Sequence, residues 1–273
     1  MGELNTDIKN VAFIIGDTPK NLPSDGTSIQ NWATNAANAS FTGDLGLTYG
    51  SDPYTALYYP WGLGTNLDGS LVFVPPSGIA LLTYAYNDQV AYPWFAPAGF
   101  NRGIVIGINS VGYLLSDGTY QAVELNQGQR DVLYTNLINP IAYIPNRGLV
   151  IYGQITLLGQ SAAMSRVNVS RLVCYLNYNL DNIAKPFLWE QNDSQTWKAV
   201  TSTFNSFLGN LIGLRGIYDY LVVVNSTNNT PTTIALHQLW INCYVQPIDS
   251  IEFIYIPLVL QNPGTPLPTG TTA

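Results

Sequence analysis

Charged side chains are scarce in this sequence. Asp, Glu, Lys and Arg together make up 10% of its 273 residues, whereas about a quarter is usual for soluble domains. The polar surface must therefore come mainly from Asn, Thr, Ser, Gln and Tyr. Because the cores of protein interfaces are depleted of charge, this composition suits a protein whose faces are covered by neighbours. A secreted or extremophile protein with an uncharged polar surface would have the same composition.

Basic clusters and long apolar runs are also missing. Ten Lys and Arg stand against seventeen Asp and Glu, which gives a net charge of −7, and the basic residues are scattered along the chain. A nucleic-acid-binding protein would need a basic stripe, so the sequence predicts no nucleic-acid partner. No apolar run has the length of a membrane span, so no membrane insertion is expected.

Histidine and cysteine are nearly absent. The single histidine, His237, lies on a predicted strand between Leu236 and Gln238, far along the chain from most other candidate ligands, so neither a metal site nor a Ser/His/Asp triad is indicated. Cys174 and Cys243 each lie in an apolar run, which favours buried free thiols over a single long-range disulfide. We expect no catalytic residues, no metal and no cofactor.

Two acidic patterns have structural explanations. Gly16-Asp17 follows a predicted strand but lacks the glycine fingerprint of nucleotide-binding loops, so a turn is the better interpretation. Glu190 and Asp193 lie at the start of a predicted helix, where negative charge interacts favourably with the helix dipole. They are therefore interpreted as capping residues rather than as an acid/base pair.

Short apolar runs and amphipathic segments alternate over the first two thirds of the chain. This pattern is typical of α/β folds and predicts neighbouring parallel strands, so the fold class that we predict is α/β, with a mixed β-sheet flanked by helices. The first helix should be capped by Thr27 or Ser28, and the third should end before Asn139-Pro140. We predict strands at 11–16, 57–59, 104–108 and 149–152, and helices at 28–38, 79–87, 127–136, 166–183 and 194–212.

The last third is expected to be mostly β-structure. Strands are predicted at 220–224, 233–245 and 250–260, with a turn at 225–230. The tail at 262–273 is rich in proline, glycine and threonine, which predicts no structure of its own in the isolated chain. We therefore expect a core domain at 1–261 and a flexible tail at 262–273.

The most informative run is Pro-Trp-Phe-Ala-Pro-Ala-Gly-Phe-Asn-Arg-Gly at residues 93–103. Its prolines and glycines fix a backbone path that carries three aromatic rings and one arginine. The run is too stiff for a linker and too interrupted for a helix or a central strand. It predicts an ordered structural loop formed by Pro97, Ala98, Gly99, Phe100, Asn101, Arg102 and Gly103.

Other motifs occur before and after this loop, in a fixed order. They are Ala-Leu-Tyr-Tyr-Pro-Trp at 56–61, Val-Pro-Pro-Ser-Gly at 74–78, Leu-Ile-Asn-Pro-Ile at 137–141, Arg-Gly-Leu-Val-Ile-Tyr-Gly at 147–153 and Phe-Leu-Trp-Glu-Gln-Asn-Asp at 187–193. Together they resemble the contractile tail sheath protein of myophages over residues 10–254. The motif residues are Tyr59, Pro60, Trp61, Asn139, Pro140, Arg147, Gly148, Glu190, Asn192 and Asp193.

Three positions depart from the pattern of sheath proteins. Gln191 stands where those proteins usually have proline, Ile155 where they have arginine, and Ser170 where the first residue of an arginine pair is common. These departures put local salt bridges in doubt. The resemblance also implies that the chain starts inside the family's core, so we expect it to lack the N-terminal arm.

The resemblance implies a mechanical function without catalysis. Sheath subunits form homo-hexameric rings that stack into a helical sheath around the tail tube protein, between baseplate and tail terminator proteins. Contraction drives the tube through the host envelope, so we expect a virion protein that is assembled in the host cytoplasm. A long terminal strand can add to a neighbour's sheet through backbone hydrogen bonds, and the strand candidate contains Phe253, Tyr255, Pro257, Val259 and Leu260.

Lys198, on the polar side of the predicted helix at 194–212, is the candidate for facing the tube. Five arginines, half of all basic residues, are expected to bind carbonyls and carboxylates inside the subunit, with a contact to a neighbouring subunit as the second interpretation. They are Arg102, Arg130, Arg147, Arg166 and Arg171.

Two other functions remain open from the sequence. The first is a sheath subunit of a type VI secretion system or of a phage-tail-like bacteriocin. The second is an extracellular carbohydrate-active enzyme or lectin, suggested by an aromatic content of 12% together with low charge. An enzyme of that kind would need paired carboxylates in a cleft.

Overall fold

The computed structural model describes residues 12–34, 52–158, 162–252 and 254–256. Short 3₁₀ turns at Ala163–Ser165 and Lys185–Phe187 lie before and after the helix Val167–Ala184. The helices are α1 (Gly26–Ala33), α2 (Pro76–Val90), α3 (Gly99–Arg102), α4 (Gln127–Thr135), α5 (Val167–Ala184), α6 (Ser194–Gly213) and α7 (Pro231–Ala235). The strands are β1 (Ile14–Asp17), β2 (Thr55–Tyr59), β3 (Trp61–Thr65), β4 (Leu71–Val74), β5 (Ile108–Leu114), β6 (Tyr120–Ala122), β7 (Ile138–Ile144), β8 (Gly148–Ile151), β9 (Ile217–Val223) and β10 (Asn242–Pro247).

A mixed sheet of order β1-β2-β7-β8 forms the centre of the fold. Strands β1, β2 and β7 run parallel to one another, whereas β8 runs antiparallel to β7. Every residue of β2 is buried, because alternate side chains enter two different cores: Leu57 and Tyr59 contact the core of α1 and α4, while Ala56 and Tyr58 contact the core of α2. The predicted mixed sheet flanked by helices is confirmed.

A second, antiparallel sheet of order β4-β3-β5-β6 lies beside the first. The sequence did not predict β3, β4 or β6. Strand β3 was missed because it contains glycines, which are unusual inside strands. A Cβ at Gly62 would lie 2.7 Å from Ile79 Cδ1 and 2.9 Å from Ile108 Cγ2. Glycine is therefore required there by a close approach that only the folded chain reveals.

The C-terminal part consists of α5 and α6 packed against the two-stranded antiparallel sheet β9–β10. The helical stripes predicted from residue spacing are confirmed: Leu172 and Leu176 of α5 meet Leu208 and Leu211 of α6 in one buried cluster. Asp193 caps α6 as predicted, accepting hydrogen bonds from the backbone N–H groups of residues 195 and 196, both at 2.9 Å.

Several predicted boundaries were wrong. Helix α1 begins at Gly26 and its cap is Asp25, which accepts the Ser28 N–H at 2.8 Å, rather than Thr27 or Ser28. The strand predicted at 104–108 is displaced to β5, since Gly107 has φ of +79° and interrupts the extended backbone. The helix predicted at 127–136, by contrast, is confirmed as α4 (Gln127–Thr135), which ends before Asn139-Pro140, and those two residues lie within β7.

The strand predicted at 233–245 was also wrong over most of its length. Thr230 accepts the Thr233 N–H and Pro231 occupies the first helical position, so residues 231–235 form α7 and only the later part enters β10. His237 lies in a turn with φ of +57°, not on a strand. Residues 250–252 and 254–256, the described part of the candidate terminal strand, form no strand, and the predicted boundary between core and tail lies outside the described residues.

Candidate functional site

The loop at 97–103 forms a single helical turn, α3, that packs beside β8. Gly99 has φ of +74°, a conformation that favours glycine. A Cβ at Gly103 would lie 2.5 Å from Gly99 N and 2.6 Å from Ala98 C, so the turn closes on itself only with glycine at position 103. The Gly103 carbonyl accepts the N–H of Ile151 at 2.7 Å, which joins the loop to the central sheet.

Arg102 is bound inside its own loop. Its Nε donates to the Ala96 carbonyl at 3.3 Å, and its guanidinium lies 5.0 Å from the centre of the Phe95 ring. Burial, followed by the nearby positive charge of Arg215, lowers the pKa of Arg102. Both contacts are within the subunit.

Two arginines flank a pair of neighbouring aromatic rings beside the loop. Arg147 lies 5.2 Å from the Phe100 ring centre, Phe100 lies 5.9 Å from Tyr152, and Arg130 lies 5.5 Å from Tyr152. Cation–π contacts of this kind hold rings in place even where they face water. We call these four residues the arginine–aromatic ladder.

A second cluster surrounds the carboxylate of Glu252. The Tyr134 hydroxyl donates to it at 2.9 Å, the Gln154 amide at 3.2 Å and Arg166 Nε at 2.6 Å. Burial, reinforced by the charge of Glu252, raises the pKa of Tyr134 to about 12, so the tyrosine remains a donor. This Glu252 clamp fixes the point at which the C-terminal segment leaves the core.

The clamp was not predicted, although one signal was available. Glu252 is the only charged residue in the stretch from Ser250 to the end of the chain. Its three partners come from α4, from the chain after β8 and from the residue before α5. They are distant in sequence, so only the fold brings them together.

The ladder and the clamp border the same cavity, which has a volume of about 580 Å³. Phe100, Arg130 and Tyr152 of the ladder line it together with Tyr134, Gln154 and Glu252 of the clamp. The carboxylate of Glu252 already accepts three hydrogen bonds, one of them from an arginine. These three contacts give the carboxylate a structural role at the edge of the cavity.

The motif residues in and next to the central sheet make structural contacts inside the subunit. The Tyr59 hydroxyl donates to the Leu22 carbonyl at 3.0 Å, and Trp61 Nε1 donates to the Thr18 carbonyl at 2.7 Å. Asn139 donates to the carbonyls of Leu57 and Ile155 at 3.0 and 2.8 Å and accepts the Ile155 N–H at 2.7 Å. Pro140 lies beside it in β7, and Gly148 opens β8 with φ of +82°.

The motif before α6 has a similar role. Asn192 donates to the Gln238 carbonyl at 3.0 Å and accepts the Trp197 indole N–H at 2.8 Å. The backbone N–H of Thr196 is the main cause that lowers the pKa of Asp193. Glu190 is exposed and lies before the cap rather than in the first helical turn, so the interpretation of Glu190 as a capping residue was wrong.

Of the remaining predicted residues, some lie at the surface, Arg171 is largely buried, and others lie outside the described residues. Lys198 is exposed on α6, and Tyr255 is 87% exposed. Arg171 forms an ion pair with Asp88 at 2.6 Å and lies 4.6 Å from the Tyr84 ring centre. Phe253, Pro257, Val259 and Leu260 lie outside the described residues.

Reactive groups are isolated from one another. His237 is exposed, and Cys174 and Cys243 are free thiols, buried and half-buried respectively; burial raises the pKa of Cys174 to about 11. Within the described ranges, no three His, Cys, Asp or Glu side chains are grouped so that they could hold a metal. No helix in the described part of the chain is long and apolar enough to span a membrane.

Comparison with solved structures assigns the fold to sheath subunits of contractile machines. The helical sheath of the anti-feeding prophage in its contracted state superimposes with a TM-score of 0.72 at 20% identity, covering 95% of this chain and 65% of that one. The sheath complex of the PVC extracellular contractile injection system, also contracted, gives a TM-score of 0.64 at 22% identity and covers 78% of this chain and 58% of that one.

Sequence comparison identifies the family. Residues 160–261 match the phage tail sheath C-terminal domain. The chain is 37% identical over 187 residues to the tail sheath protein of Vibrio phage KVP40, covering 68% of this chain and 26% of that protein. It is 33% identical over 180 residues to the tail sheath protein of Enterobacteria phage T4, covering 66% and 26%. The chain belongs with the tail sheath proteins of myophages and spans about a quarter of the length of these curated relatives.

Proposed function

We propose that this chain is the core region of a contractile tail sheath subunit. In this proposal its copies form stacked hexameric rings around a tail tube, assemble in the host cytoplasm and become part of the virion. Contraction of the rings drives the tube through the host envelope, and the chain acts mechanically, without catalysis. Baseplate and tail terminator proteins are the proposed partners at the two ends.

The observation that carries this proposal is that the C-terminal sheet has, within the described part of the chain, unpaired strand edges next to an exposed apolar segment. Strand β9 pairs only with β10 among the described residues, which leaves two outer strand edges. The segment beyond the Glu252 clamp has no strand partner in its described part, and Ile254, Tyr255 and Ile256 are 77%, 87% and 83% exposed. Apolar side chains at such exposure, next to open sheet edges, suit strand addition between copies.

The segment from Phe253 to Leu260 is the proposed inter-subunit strand. Because backbone hydrogen bonds carry such a link, it tolerates rotation of subunits better than a link that depends on one side-chain fit. The Glu252 clamp supports this role, since it anchors the segment to three separate elements of its own subunit. Lys198 on α6 is the proposed contact to the tube.

Labelled tails test the proposal. Antibodies raised against the chain, applied to tails purified from the producing cells, should decorate the sheath along its whole length in extended and contracted particles. Decoration that is absent, or limited to the baseplate, would contradict the assignment.

A sheath of another contractile injection machine, such as a phage-tail-like bacteriocin or a type VI secretion system, is the second candidate. The fold similarity to the anti-feeding prophage sheath favours it, whereas the relatives at 37% and 33% identity are phage proteins. Antibody-decorated tails that carry a DNA-filled capsid would identify the sheath as that of a phage rather than that of another injection machine.

A further inference from the structure

The cavity between the arginine–aromatic ladder and the Glu252 clamp has the lining of a peptide-binding groove. Phe100 and Tyr152 are 39% and 44% exposed, so the groove presents large apolar surface to solvent. Arg147 and Arg130 stack on these rings, and Arg130 also donates to the Leu125 carbonyl at 2.8 Å. The rings are therefore held in fixed positions, which lowers the entropy cost of binding.

One polar atom in the groove lacks a partner. Gln154 is 4% exposed and lines the cavity, and its Oε1 has no hydrogen-bond partner among the described residues. Its amide nitrogen donates to Glu252, which fixes the orientation of the side chain because a carboxylate can only accept. A buried acceptor without a partner is costly, so a ligand that donates one N–H or O–H here would gain affinity.

The charges around the groove already have partners inside the subunit. Glu252 is paired with Arg166, and Arg130 is bound to a carbonyl and a ring. Asp131 adds an exposed carboxylate. No excess charge of one sign remains to recruit an ionic ligand, so an uncharged ligand with apolar and hydrogen-bonding groups fits best.

We propose that the groove binds residues 262–273 of the same chain in an extended, polyproline-like conformation. This tail is uncharged and contains Pro263, Pro266 and Pro268, which is a Pro-x-x-Pro pattern. Such segments dock in aromatic-lined grooves because their conformation is preformed and little entropy is lost on binding. Backbone N–H groups and threonine hydroxyls of the tail supply donors for Gln154.

The residues between Glu252 and Pro263 tether the tail to the groove, so the tail can occupy the groove even if its intrinsic affinity is weak. Glu252 lines the groove, and Pro263 follows it by 11 residues (263 − 252), a length that spans up to about 36 Å when extended and can therefore fold back. A short flexible tether gives an effective concentration on the order of 1 mM. The inference concerns the free subunit: in the assembled sheath of the proposed function residues 253–260 would pair with a neighbour, and the tail would leave the groove.

Competition in solution tests the inference. The probe is a fluorescein-labelled peptide of residues 261–270, and its anisotropy is measured with the full-length chain and with the full-length triple variant Pro263→Ser, Pro266→Ser, Pro268→Ser. For a peptide with a dissociation constant of about 100 µM, the attached tail should weaken binding to the wild-type chain roughly tenfold relative to the variant. A peptide with serine in place of the three prolines should not bind.

Matched substitutions in the triple variant locate the binding. Tyr152→Ala and Phe100→Ala should each weaken peptide binding at least fivefold, as roughly 1 kcal/mol of lost aromatic contact implies. Tyr143→Ala, which removes a 46% exposed ring from β7 outside the groove, should leave it unchanged. Three results would overturn the inference: equal binding of the peptide to wild type and triple variant, no binding to either, or binding that neither groove substitution weakens. All three concern the free chain, so none of them tests sheath assembly.

Discussion

The central sheet and the C-terminal sheet differ in how completely the subunit covers them. Strand β2 is buried on both faces, with Tyr58 and Tyr59 fully inaccessible. In the β9–β10 sheet, by contrast, Tyr218, Leu221 and Tyr244 are 61%, 57% and 58% exposed. A strand that is covered on both faces needs no neighbour, whereas the β9–β10 sheet packs on helices by one face only and has just two strands. The central sheet therefore gives the subunit its stability, and the C-terminal sheet is the part that assembly can complete.

The largest effect should come from the central sheet. Ile138→Ala removes a fully buried side chain of β7 and should destabilise the fold by about 3 kcal/mol through lost burial and a residual cavity. Leu221→Ala, in the exposed strand β9, should cost less than about 1 kcal/mol. Urea unfolding of the two variants checks the difference, and equal losses would show that the two sheets are not distinct.

Asn139 should be the most sensitive polar residue. Asn139→Ala leaves the carbonyls of Leu57 and Ile155 and the N–H of Ile155 without their buried partner, which should cost about 2 to 3 kcal/mol. Asn192→Ala removes two bonds in a more exposed setting and should cost about 1 kcal/mol. Thermal unfolding monitored by circular dichroism ranks the two variants, and the reverse order would refute the comparison.

The loop at 97–103 should give a smaller effect. Arg102→Ala removes one hydrogen bond to Ala96 and the contact with Phe95, which together should cost about 1 kcal/mol. Arg102→Lys keeps the charge but not the planar stack, so it should recover only part of the loss. Complete recovery with lysine in urea unfolding would show that charge alone matters at this position.

The smallest effect should be a pH dependence at the cap of α6. The pKa of Asp193 is lowered in the folded state, mainly by the N–H of Thr196. The carboxylate therefore stabilises the fold above its ordinary pKa of about 3.9, and this contribution is lost as the pH falls through the folded-state value. In thermal scans, Asp193→Asn should show a flatter pH profile below pH ~4 than the wild-type chain. Parallel profiles would contradict this role.

The stripes of α5 and α6 could be predicted because they depend on local spacing. Leu172 with Leu176 and Leu208 with Leu211 repeat at helical intervals, and a helix needs only neighbours in sequence to form. Strand β3 could not be predicted, because glycine at position 62 is required by the nearby side chains of Ile79 and Ile108. Their proximity is a tertiary property that the local sequence does not show.

In the candidate site, too, features that depend on local sequence could be predicted and features that depend on tertiary contacts could not. The glycines of the loop predicted a turn, because their conformational freedom is local. The ladder joins Arg147 and Arg130 to rings from two other segments, and the Glu252 clamp depends on three elements separated along the chain. No periodicity in the sequence encodes such contacts, since they arise only when the elements have packed.

Hydrogen exchange on the free and the assembled protein tests the central claim most directly. If neighbours complete the C-terminal sheet, backbone amides of β9, β10 and the segment after Glu252 should exchange quickly in the free subunit and become strongly protected in the assembled sheath. Amides of β2 and β7 should be slow in both states, because the subunit itself covers them. Unchanged exchange of β9, β10 and the terminal segment on assembly would contradict the account.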